Sequence, residues 1–413
     1  MVLDSETLLQ RVRDERRFAP VCRASKPFDV FVALTQAMFW GRRLTLADPQ
    51  FTEAERQKLG LDAKEAAAEE ILPTRPIRDS AELRERCAAQ RGFELELFTS
   101  GSTGLPKRVV HTLSGLTRTL RTGPKHVGDA WGFLYNPAHL AGVQVFLQAF
   151  FNGNRIVDLY GLAPQAALAA IESEGVTHLS ATPTCYRFLL AEKPPPNDRV
   201  RHITLGGESA DERLMRELRA VFPAARIRNH YASTECGTLF VSEGDVFTVP
   251  DSIRRQVDVE GGTLRVHASL VGRFAGDETA VTDPGGSGAR VSAASGDWYD
   301  TGDRVEVVSQ APLRFRITGR ERDWVNVGGE KVDPAEVEAA LREHEAVADA
   351  QVYGRANSVV GHILCARVVL RGEAKETTLR DFLAGRLQTF KVPRVFSFVS
   401  SIQRTRTGKA ARP

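Results

Sequence analysis

One stretch of the sequence crowds hydroxyl groups, glycines and a lysine between two apolar runs. Residues 98–112 read FTSGSTGLPKRVVHT. Glycines let the backbone approach a ligand closely, and successive N–H groups in such a turn form an anion-binding concavity. Lys107 adds a point charge suited to phosphate. The stretch therefore predicts a phosphate-binding loop rather than the flexible linker that Ser/Gly-rich composition usually indicates. Its candidate phosphate-binding residues are Thr99, Ser100, Gly101, Ser102, Thr103, Gly104 and Lys107.

The loop differs from the Walker A pattern of other nucleotide-binding proteins. That pattern ends in Gly-Lys-Ser/Thr, whereas here Gly104 is followed by Leu105, Pro106 and Lys107. The stretch instead closely resembles the phosphate loop of the adenylate-forming (AMP-binding) superfamily. Acyl-CoA and aryl-CoA synthetases, luciferases and the adenylation domains of peptide synthetases belong to that superfamily.

Further stretches resemble motifs of the same superfamily and occur in its order. They are residues 136–139, 206–208, 231–237, 299–303, 319–323, 326–334 and 404–409. In the second half of the chain, Tyr231-Ala-Ser-Thr234-Glu235 resembles Tyr-Gly-x-Thr-Glu, and Tyr299-Asp-Thr-Gly-Asp303 resembles Tyr-x-Thr-Gly-Asp. The phosphate loop begins only about 100 residues into the chain, which is early for this superfamily. The resemblance therefore implies a compact member with a shortened N-terminal region.

The resemblance implies an ATP site whose residues are scattered along the chain. Tyr231 would stack on adenine and Asp303 would accept both ribose hydroxyls. The implied nucleotide-binding residues outside the phosphate loop are Gly207, Glu208, Tyr231, Asp303 and Arg320.

Catalysis is assigned by the resemblance to Lys409, Thr234, Glu235 and His139. Glu235 would hold Mg²⁺, an ion that prefers carboxylate and phosphate oxygens. Thr234 would donate to the α-phosphate, and Lys409 would approach the reacting centre from a mobile C-terminal motif. His139 would close the acyl pocket and orient the carboxylate.

The resemblance also places an acyl pocket, a hinge and a thiol tunnel. The pocket residues are His139, Val143, Pro183, Gly206, Cys236 and Gly237. The hinge is Arg322, and the tunnel residues are Gly328, Gly329 and Lys331. Peptide-synthetase domains carry an aspartate just before the position of His139, where this chain reads Tyr-Asn-Pro-Ala-His. That difference favours an aryl or medium-chain acid over an α-amino acid.

Periodicity predicts an α/β fold whose successive regions differ in secondary structure. Residues 1–90 look mostly helical, with a buried helix at 27–39 and an Ala/Glu-rich helix at 51–70. Strands and helices alternate from 93 to about 240, which indicates a parallel sheet with crossover helices. Short alternating runs predict an antiparallel β subdomain at about 242–318. The expected division is a large domain at 1–319 and a small, mobile α+β domain at 320–413.

Composition limits the kinds of partner and the cellular compartment that we expect for this protein. The chain has 413 residues and a net charge of +3, with 55 basic and 52 acidic side chains, which does not indicate nucleic acid as a partner. Five cysteines without CxxC spacing favour reduced thiols in a cytoplasmic protein. The N-terminus lacks the apolar core of a signal peptide. No apolar run reaches the ~18 residues of a membrane span.

The implied activity is a two-step ligation. A small-molecule carboxylic acid attacks Mg-ATP to give an acyl-adenylate and pyrophosphate, and a thiol then displaces AMP. Coenzyme A is the expected acceptor; the phosphopantetheine arm of an acyl carrier protein, or an amine that captures the adenylate, is an alternative. A nucleotide-binding regulator without catalysis is a further alternative, which the presence of Glu235, Asp303 and Lys409 disfavours.

Overall fold

The computed structural model describes most of the chain. The described residues are 2–15, 17–62, 68–70, 76–99, 106–208, 210–242, 244–274, 297–320, 324–327, 330–357 and 361–403. The predicted residues Ser100–Gly104, Arg322, Gly328, Gly329 and Lys409 lie outside these ranges.

A mixed sheet of 12 strands forms the centre of the molecule, in the order β1-β9-β8-β10-β11-β12-β13-β14-β19-β18-β16-β15. Five of its strands, from β9 to β12 in that order, are parallel, which confirms the predicted parallel sheet. The strands are β1 (Val2–Leu3), β8 (Ala130–Phe133), β9 (Arg155–Asp158), β10 (His178–Ala181), β11 (His202–Gly206), β12 (Arg226–Ser233), β13 (Gly237–Ser242), β14 (Val246–Thr248), β15 (Val257–Glu260), β16 (Thr263–His267), β18 (Trp298–Gln310) and β19 (Leu313–Arg320).

Helices cover both faces of the parallel part of this sheet. On one face of the sheet, side chains of α7, α8 and α9 form a core with Leu179, Leu205 and Ile227. On the opposite face, Phe31 of α2 packs edge-on against Phe133 and stacks on Phe146 of α6. The helices are α1 (Ser5–Asp14), α2 (Pro27–Trp40), α3 (Glu53–Leu59), α4 (Ser80–Ala89), α5 (Leu113–Thr117), α6 (Leu140–Asn152), α7 (Pro164–Ser173), α8 (Pro183–Ala191), α9 (Glu212–Val221), α10 (Pro334–Arg342) and α11 (Glu376–Ala384).

The antiparallel region continues the same sheet. Strand β12 pairs in parallel with β11 and antiparallel with β13, and the sheet then runs on through β14 and β19. The strands predicted for residues 242–318 are therefore hydrogen-bonded to the parallel strands through β13. This continuity places the end of β12 between the parallel and the antiparallel halves.

The phosphate-loop stretch belongs to a different sheet. Strands β6 and β7 pair antiparallel within the five-stranded order β17-β7-β6-β4-β3. The strand before the loop, which the alternating pattern placed with the parallel strands, therefore lies outside the central sheet. The strands of this sheet and of a small two-stranded one are β2 (Arg17–Phe18), β3 (Val21–Cys22), β4 (Arg43–Leu46), β5 (Glu69–Glu70), β6 (Glu94–Thr99), β7 (Lys107–Thr112) and β17 (Arg273–Phe274).

The long helix predicted for residues 51–70 is wrong. Helix α3 begins after the cap Thr52, whose side chain accepts from the N–H of Glu55, and it ends at Leu59. Gly60 follows with φ of 63°, a left-handed conformation that glycine adopts readily and that terminates a helix. The predicted single helix is therefore broken at Gly60; residues 61 and 62 are helical again, 69–70 form β5, and residues 63–67 lie outside the described ranges.

The C-terminal segment builds a sheet and a core of its own. The sheet has the order β21-β20-β23-β22, with β24 beside β23, and α10 and α11 pack on it through Val337, Leu341 and Leu379. Arg213 of α9 reaches across from the large part of the molecule and donates to the main-chain carbonyls of Arg342 and His344. The strands are β20 (Val325–Val327), β21 (Glu330–Val332), β22 (Val347–Asn357), β23 (Gly361–Leu370) and β24 (Val395–Phe398).

Gly142 in α6 is expected to be intolerant of a side chain. A Cβ at this position would lie 2.4 Å from the carbonyl oxygen of Asn136, which belongs to the loop that carries His139. Alanine is favoured over glycine in a helix interior by ~1 kcal/mol, but a backbone clash of this kind costs ~1–3 kcal/mol. We therefore expect Gly142→Ala to lower the urea midpoint of unfolding.

Gly115→Ala is the matched control for that variant. Gly115 also lies in a helix, and a Cβ there would be no closer than 3.6 Å to the Thr112 hydroxyl. This substitution should leave the midpoint unchanged or raise it. An equal response of the two variants would contradict the assignment of a steric clash to Gly142.

Candidate active site

The two ends of the phosphate-loop stretch meet on neighbouring strands. Thr99 closes β6 and Lys107 opens β7, and the two residues lie opposite each other in the antiparallel pair. Thr99 and Lys107, the two described residues that flank the candidate phosphate loop, therefore lie at the same end of this strand pair.

A buried histidine joins this sheet to the Thr234-Glu235 segment. His111 of β7 lies with Nε2 2.6 Å from the carbonyl oxygen of Thr234. Because a carbonyl can only accept, Nε2 carries the hydrogen and donates it. Burial is the main cause that lowers the pKa of His111, so the side chain is neutral at pH 7.

The carbonyl of Glu235, the next residue of this segment, is held by a different part of the chain. The N–H of Gly272 donates to the carbonyl oxygen of Glu235 over 2.7 Å. A Cβ at Gly272 would lie 2.6 Å from Cγ1 of Val109 and 2.7 Å from Cε1 of His111. Only glycine therefore lets this backbone pack against β7 while it fixes Glu235.

Tyr231 and Asp303 form a buried pair near the same segment. The Tyr231 hydroxyl donates to Oδ2 of Asp303 over 2.5 Å, and both residues are less than a tenth exposed. Burial first, and then the charge of Asp303, raises the pKa of Tyr231, which keeps its hydroxyl protonated as the donor. The Tyr231 ring packs near Phe240 and Phe247. In the backbone register Asp303 lies opposite Arg320, another of the implied nucleotide-binding residues.

The Gly206-Gly207-Glu208 turn at the carboxyl end of β11 is tied to the start of α8. Oε2 of Glu208 accepts from the N–H of Thr184 at 3.0 Å and from its hydroxyl at 2.7 Å. A carboxylate at a helix N-terminus is favoured by the orientation of the free N–H groups there. This contact also brings Pro183, the first residue of α8, next to the turn.

His139 lies at the N-terminus of α6 and contacts an aspartate from the N-terminal region. Its Nε2 is 3.1 Å from Oδ2 of Asp48, a carboxylate that is itself buried. The main-chain carbonyl of His139 accepts from the N–H of Val143, the first hydrogen bond of the helix. The position of the imidazole is thus set both by the helix and by Asp48.

The remaining acyl-pocket residues fall into two groups. The side chains of Val143 and Cys236 are fully packed in hydrophobic cores, and burial raises the pKa of the Cys236 thiol to about 12. Gly206 and Gly237 instead leave space beside polar groups. A Cβ on Gly206 would lie 3.6 Å from the Tyr135 hydroxyl, and one on Gly237 would lie 3.8 Å from Nε2 of Gln144.

The residues around Glu235 suit magnesium bound together with a nucleotide. Mg²⁺ is commonly held by one or two carboxylates plus substrate phosphates and water rather than by a cage of protein ligands. Within the part of the chain that the structure describes, no group of three His, Cys, Asp or Glu side chains could hold a metal. The carboxylate of Glu235 and the hydroxyl of Thr234 are hard oxygens, which suit a site where the nucleotide supplies the remaining ligands.

Comparison with known proteins identifies the family of this chain. Residues 31–285 match the model for "AMP-binding enzyme", and residues 336–409 match "AMP-binding enzyme C-terminal domain". The chain belongs to the AMP-binding enzyme family. The superfamily resemblance of the phosphate loop and the later motifs is thereby confirmed.

Several relatives of this chain are ligases of carboxylic acids and coenzyme A. The chain is 26% identical to the medium-chain fatty-acid–CoA ligase of Escherichia coli K12, over 97% of this chain and 72% of that protein. It is 28% identical to 2-succinylbenzoate–CoA ligase of Bacillus velezensis, over 76% and 67%. The fold is similar to that of ATP-bound MatB from Rhodopseudomonas palustris, with a TM-score of 0.73 at 18% identity over 98% and 91% of the two chains. Among the described helices, none combines the length and the hydropathy that a bilayer crossing requires.

Three contacts of this site were not anticipated from the sequence. His111, Gly272 and Asp48 lie far along the chain from the residues that they hold, which are Thr234, Glu235 and His139. Of the three residues, only His111 could have been suspected from the sequence. It follows Val109 and Val110 in an apolar strand, and a histidine that still belongs to such a strand is buried with it.

Replacing His111 tests whether it positions the Thr234-Glu235 segment. His111→Phe leaves the Thr234 carbonyl without this donor, which costs ~1–3 kcal/mol in a buried site. We expect the rate of acid-dependent pyrophosphate release from ATP to fall by roughly 10-fold or more, because ~1.4 kcal/mol lost from the transition state is tenfold in rate. His111→Gln places an amide N–H at a similar reach and should recover most of the rate. A wild-type rate in the phenylalanine variant would rule out the positioning role.

Proposed function

We propose that this protein activates a carboxylic acid with Mg-ATP, forms an acyl-adenylate with release of pyrophosphate, and transfers the acyl group to the thiol of coenzyme A. Family membership supports the nucleotide chemistry, and the ligases among its relatives support the acid and the thiol. Because those relatives share less than a third of their residues with this chain, the identity of the acid is a separate question.

One observation carries the proposal. The end of β12 holds Tyr231 against Asp303, and the residues that follow it are held by His111 and Gly272. The groups assigned to the nucleoside and to the phosphates therefore come from one continuous segment, fixed at both ends. Such pre-positioning is what a reaction between two anions needs, since most of its catalysis is orientation and electrostatics.

In the first step the carboxylate oxygen bonds to the α-phosphorus, and the bond from that phosphorus to the bridging oxygen of pyrophosphate breaks. Thr99, Ser102, Thr103 and Lys107 would hold the β- and γ-phosphates. Thr234 and Lys409 would donate to the oxygens of the α-phosphate. Mg²⁺ held by Glu235 would supply further neutralisation of the phosphate charge.

In the second step the thiol attacks the acyl carbon, and AMP leaves through its phosphate oxygen. The glycines at 328 and 329 would line the path of the thiol. Arg322 would be the hinge about which the C-terminal domain rotates, so that this glycine loop takes the place of Lys409 at the active site. The docking of the C-terminal sheet on α9 through Arg213 would be one orientation of such a pair of domains.

A panel of carboxylic acids, scored by pyrophosphate release with and without coenzyme A, tests both steps, and absence of release from every acid would contradict the proposal.

Glu235→Gln should abolish Mg-ATP-dependent pyrophosphate release and leave the fold intact. The amide keeps the size of the side chain but loses the charge that a divalent cation requires. The measurement is single-turnover pyrophosphate release together with a thermal unfolding curve. Glu212→Gln, at a side chain that is 98% exposed, is the matched control and should behave as wild type. Wild-type adenylation by Glu235→Gln would remove this residue from the metal site.

Lys409→Ala should separate the two half-reactions. The segment 404–409 is rich in Arg, Thr and Gly and cannot bury itself, so its lysine is expected to act only when the C-terminal domain presents it. The variant should lose adenylation by roughly 100-fold or more, as expected when a donor to a developing charge is removed. It should still form the thioester from a supplied acyl-adenylate.

Gly329→Trp is the complementary variant. It should block the thiol path and spare adenylation. Single-turnover kinetics of each half-reaction distinguish the two variants. Equal loss of both half-reactions in Lys409→Ala would contradict the alternation of domains.

A further inference from the structure

A tight turn at the carboxyl end of β4 lies beside the strand that leads into the phosphate-loop stretch. Residues 48–51 read Asp-Pro-Gln-Phe, and the N–H of Phe51 donates to the carbonyl oxygen of Asp48 over 3.0 Å. Aspartate at the first position and proline at the second are residues that such turns prefer. Because β4 pairs in parallel with β6, this turn and Thr99 lie at the same end of the two strands.

The turn also packs against β6 through its last residue. The ring of Phe51 meets that of Phe98 edge to face, with the two ring centroids 5.1 Å apart. Phe51 is buried in a small hydrophobic core together with Val21, Ala47 and Leu61. Since Phe98 directly precedes Thr99, the turn and the strand that enters the candidate phosphate loop form one packed unit.

The first residue of the turn points its two carboxylate oxygens in different directions. Oδ1 of Asp48 accepts from the N–H of Gln50 over 2.8 Å, and Oδ2 lies 3.1 Å from Nε2 of His139. The Asp48 side chain is only 5% exposed, and a buried carboxylate is costly unless it is hydrogen-bonded. Because a carboxylate only accepts, Nε2 of His139 is the donor. One side chain therefore both closes the turn and holds the imidazole.

This contact decides which ring nitrogen of His139 is left for a ligand. Among the described residues, the N-terminus of α6 receives no capping hydrogen bond from the His139 side chain. The helix therefore sets where the side chain begins, and Asp48 sets how the ring is turned. With Nε2 donating to Asp48, Nδ1 remains for another group. A protonated imidazole donates from both nitrogens, so a ring between Asp48 and a second carboxylate would donate one hydrogen to each.

We propose that Asp48 is a positioning residue for the acid and that it acts through His139. The inference rests on the proposed function, in which His139 orients the carboxylate that is activated. The turn at residues 48–51 then ties the acyl pocket to the strand that enters the phosphate loop. Attack on phosphorus needs the reacting atoms about 3–3.5 Å apart and aligned. A ring without Asp48 could rotate, and the productive orientation of the acid would be less populated.

Asp48→Asn tests the proposal with little change in the size of the side chain. The amide oxygen can still accept from the N–H of Gln50, which keeps the turn, but the NH₂ group then faces Nε2 of His139 and cannot accept its hydrogen. We expect kcat/KM for the acid to fall by about 10-fold, mainly through a higher KM for the acid, and the KM for ATP to stay unchanged. The measurement is pyrophosphate release with the fastest acid of a panel that includes benzoate and octanoate.

Asp158→Asn is the matched control. Oδ1 of Asp158 accepts from the N–H of Tyr160, two residues farther along the chain, over 3.1 Å, as Oδ1 of Asp48 does from Gln50. The side chain is half-buried and follows a strand, so the same substitution is made in a similar local setting. This variant should keep the wild-type KM for the acid. Unfolding midpoints of both variants show whether either substitution disturbs the fold.

A double variant separates positioning from a merely structural role. If Asp48 acts only through the ring, adding Asp48→Asn to His139→Ala should lower kcat/KM for the acid by less than about 2-fold further, because the two effects are coupled. Multiplied losses in the double variant, wild-type kinetics in Asp48→Asn, or an equal rise in both KM values overturns the inference and leaves the proposed function standing. Absence of pyrophosphate release from the wild-type protein with every acid of the panel overturns the proposed function, and the inference with it.

Discussion

The hydrogen bond from His111 to the Thr234 carbonyl is the contact on which the arrangement of the site depends. It joins two sheets that share no strand, one carrying the phosphate-loop stretch and the other the Tyr231–Glu235 segment. A neutral, buried imidazole is a good connector, because it donates without bringing a charge into the interior. The short distance of 2.6 Å holds the two sheets in one relation, and the packing of Gly272 against His111 fixes the ring from behind.

The pair of Tyr231 and Asp303, which we propose binds the nucleoside, is held rigidly. A buried carboxylate is costly unless it is hydrogen-bonded, and the phenol hydroxyl meets that requirement from the neighbouring part of the sheet. The N–H of Asp303 in turn donates to the Thr301 hydroxyl. Both the side chain and the backbone of Asp303 are thereby fixed before any ligand arrives, so little ordering remains for binding.

Local patterns predicted local structure well. The buried helix predicted at 27–39 is α2, Pro27–Trp40, because Pro27 opens it and Gly41 ends it in a left-handed conformation. Contacts between distant segments were not accessible in this way. Asp48 holds His139 across 91 residues, and His111 holds Thr234 across 123, and no periodicity encodes such pairings. The prediction that β6 belongs to the parallel sheet was wrong for the same reason. An alternating pattern of apolar and polar residues indicates a strand, but it does not show which strands lie beside it.

The attachment of the C-terminal sheet through Arg213 has a consequence for how the chain tolerates change. The guanidinium contacts main-chain carbonyls of residues 342 and 344, and every amino acid supplies a carbonyl. Substitution at 342 or 344 therefore removes no acceptor, although the Arg342 side chain is itself paired with Glu338 and Asp349. Nη1 of Arg213 donates to both carbonyls, so a change at 213 is expected to remove both hydrogen bonds of this junction at once, whereas a change on the other side keeps them.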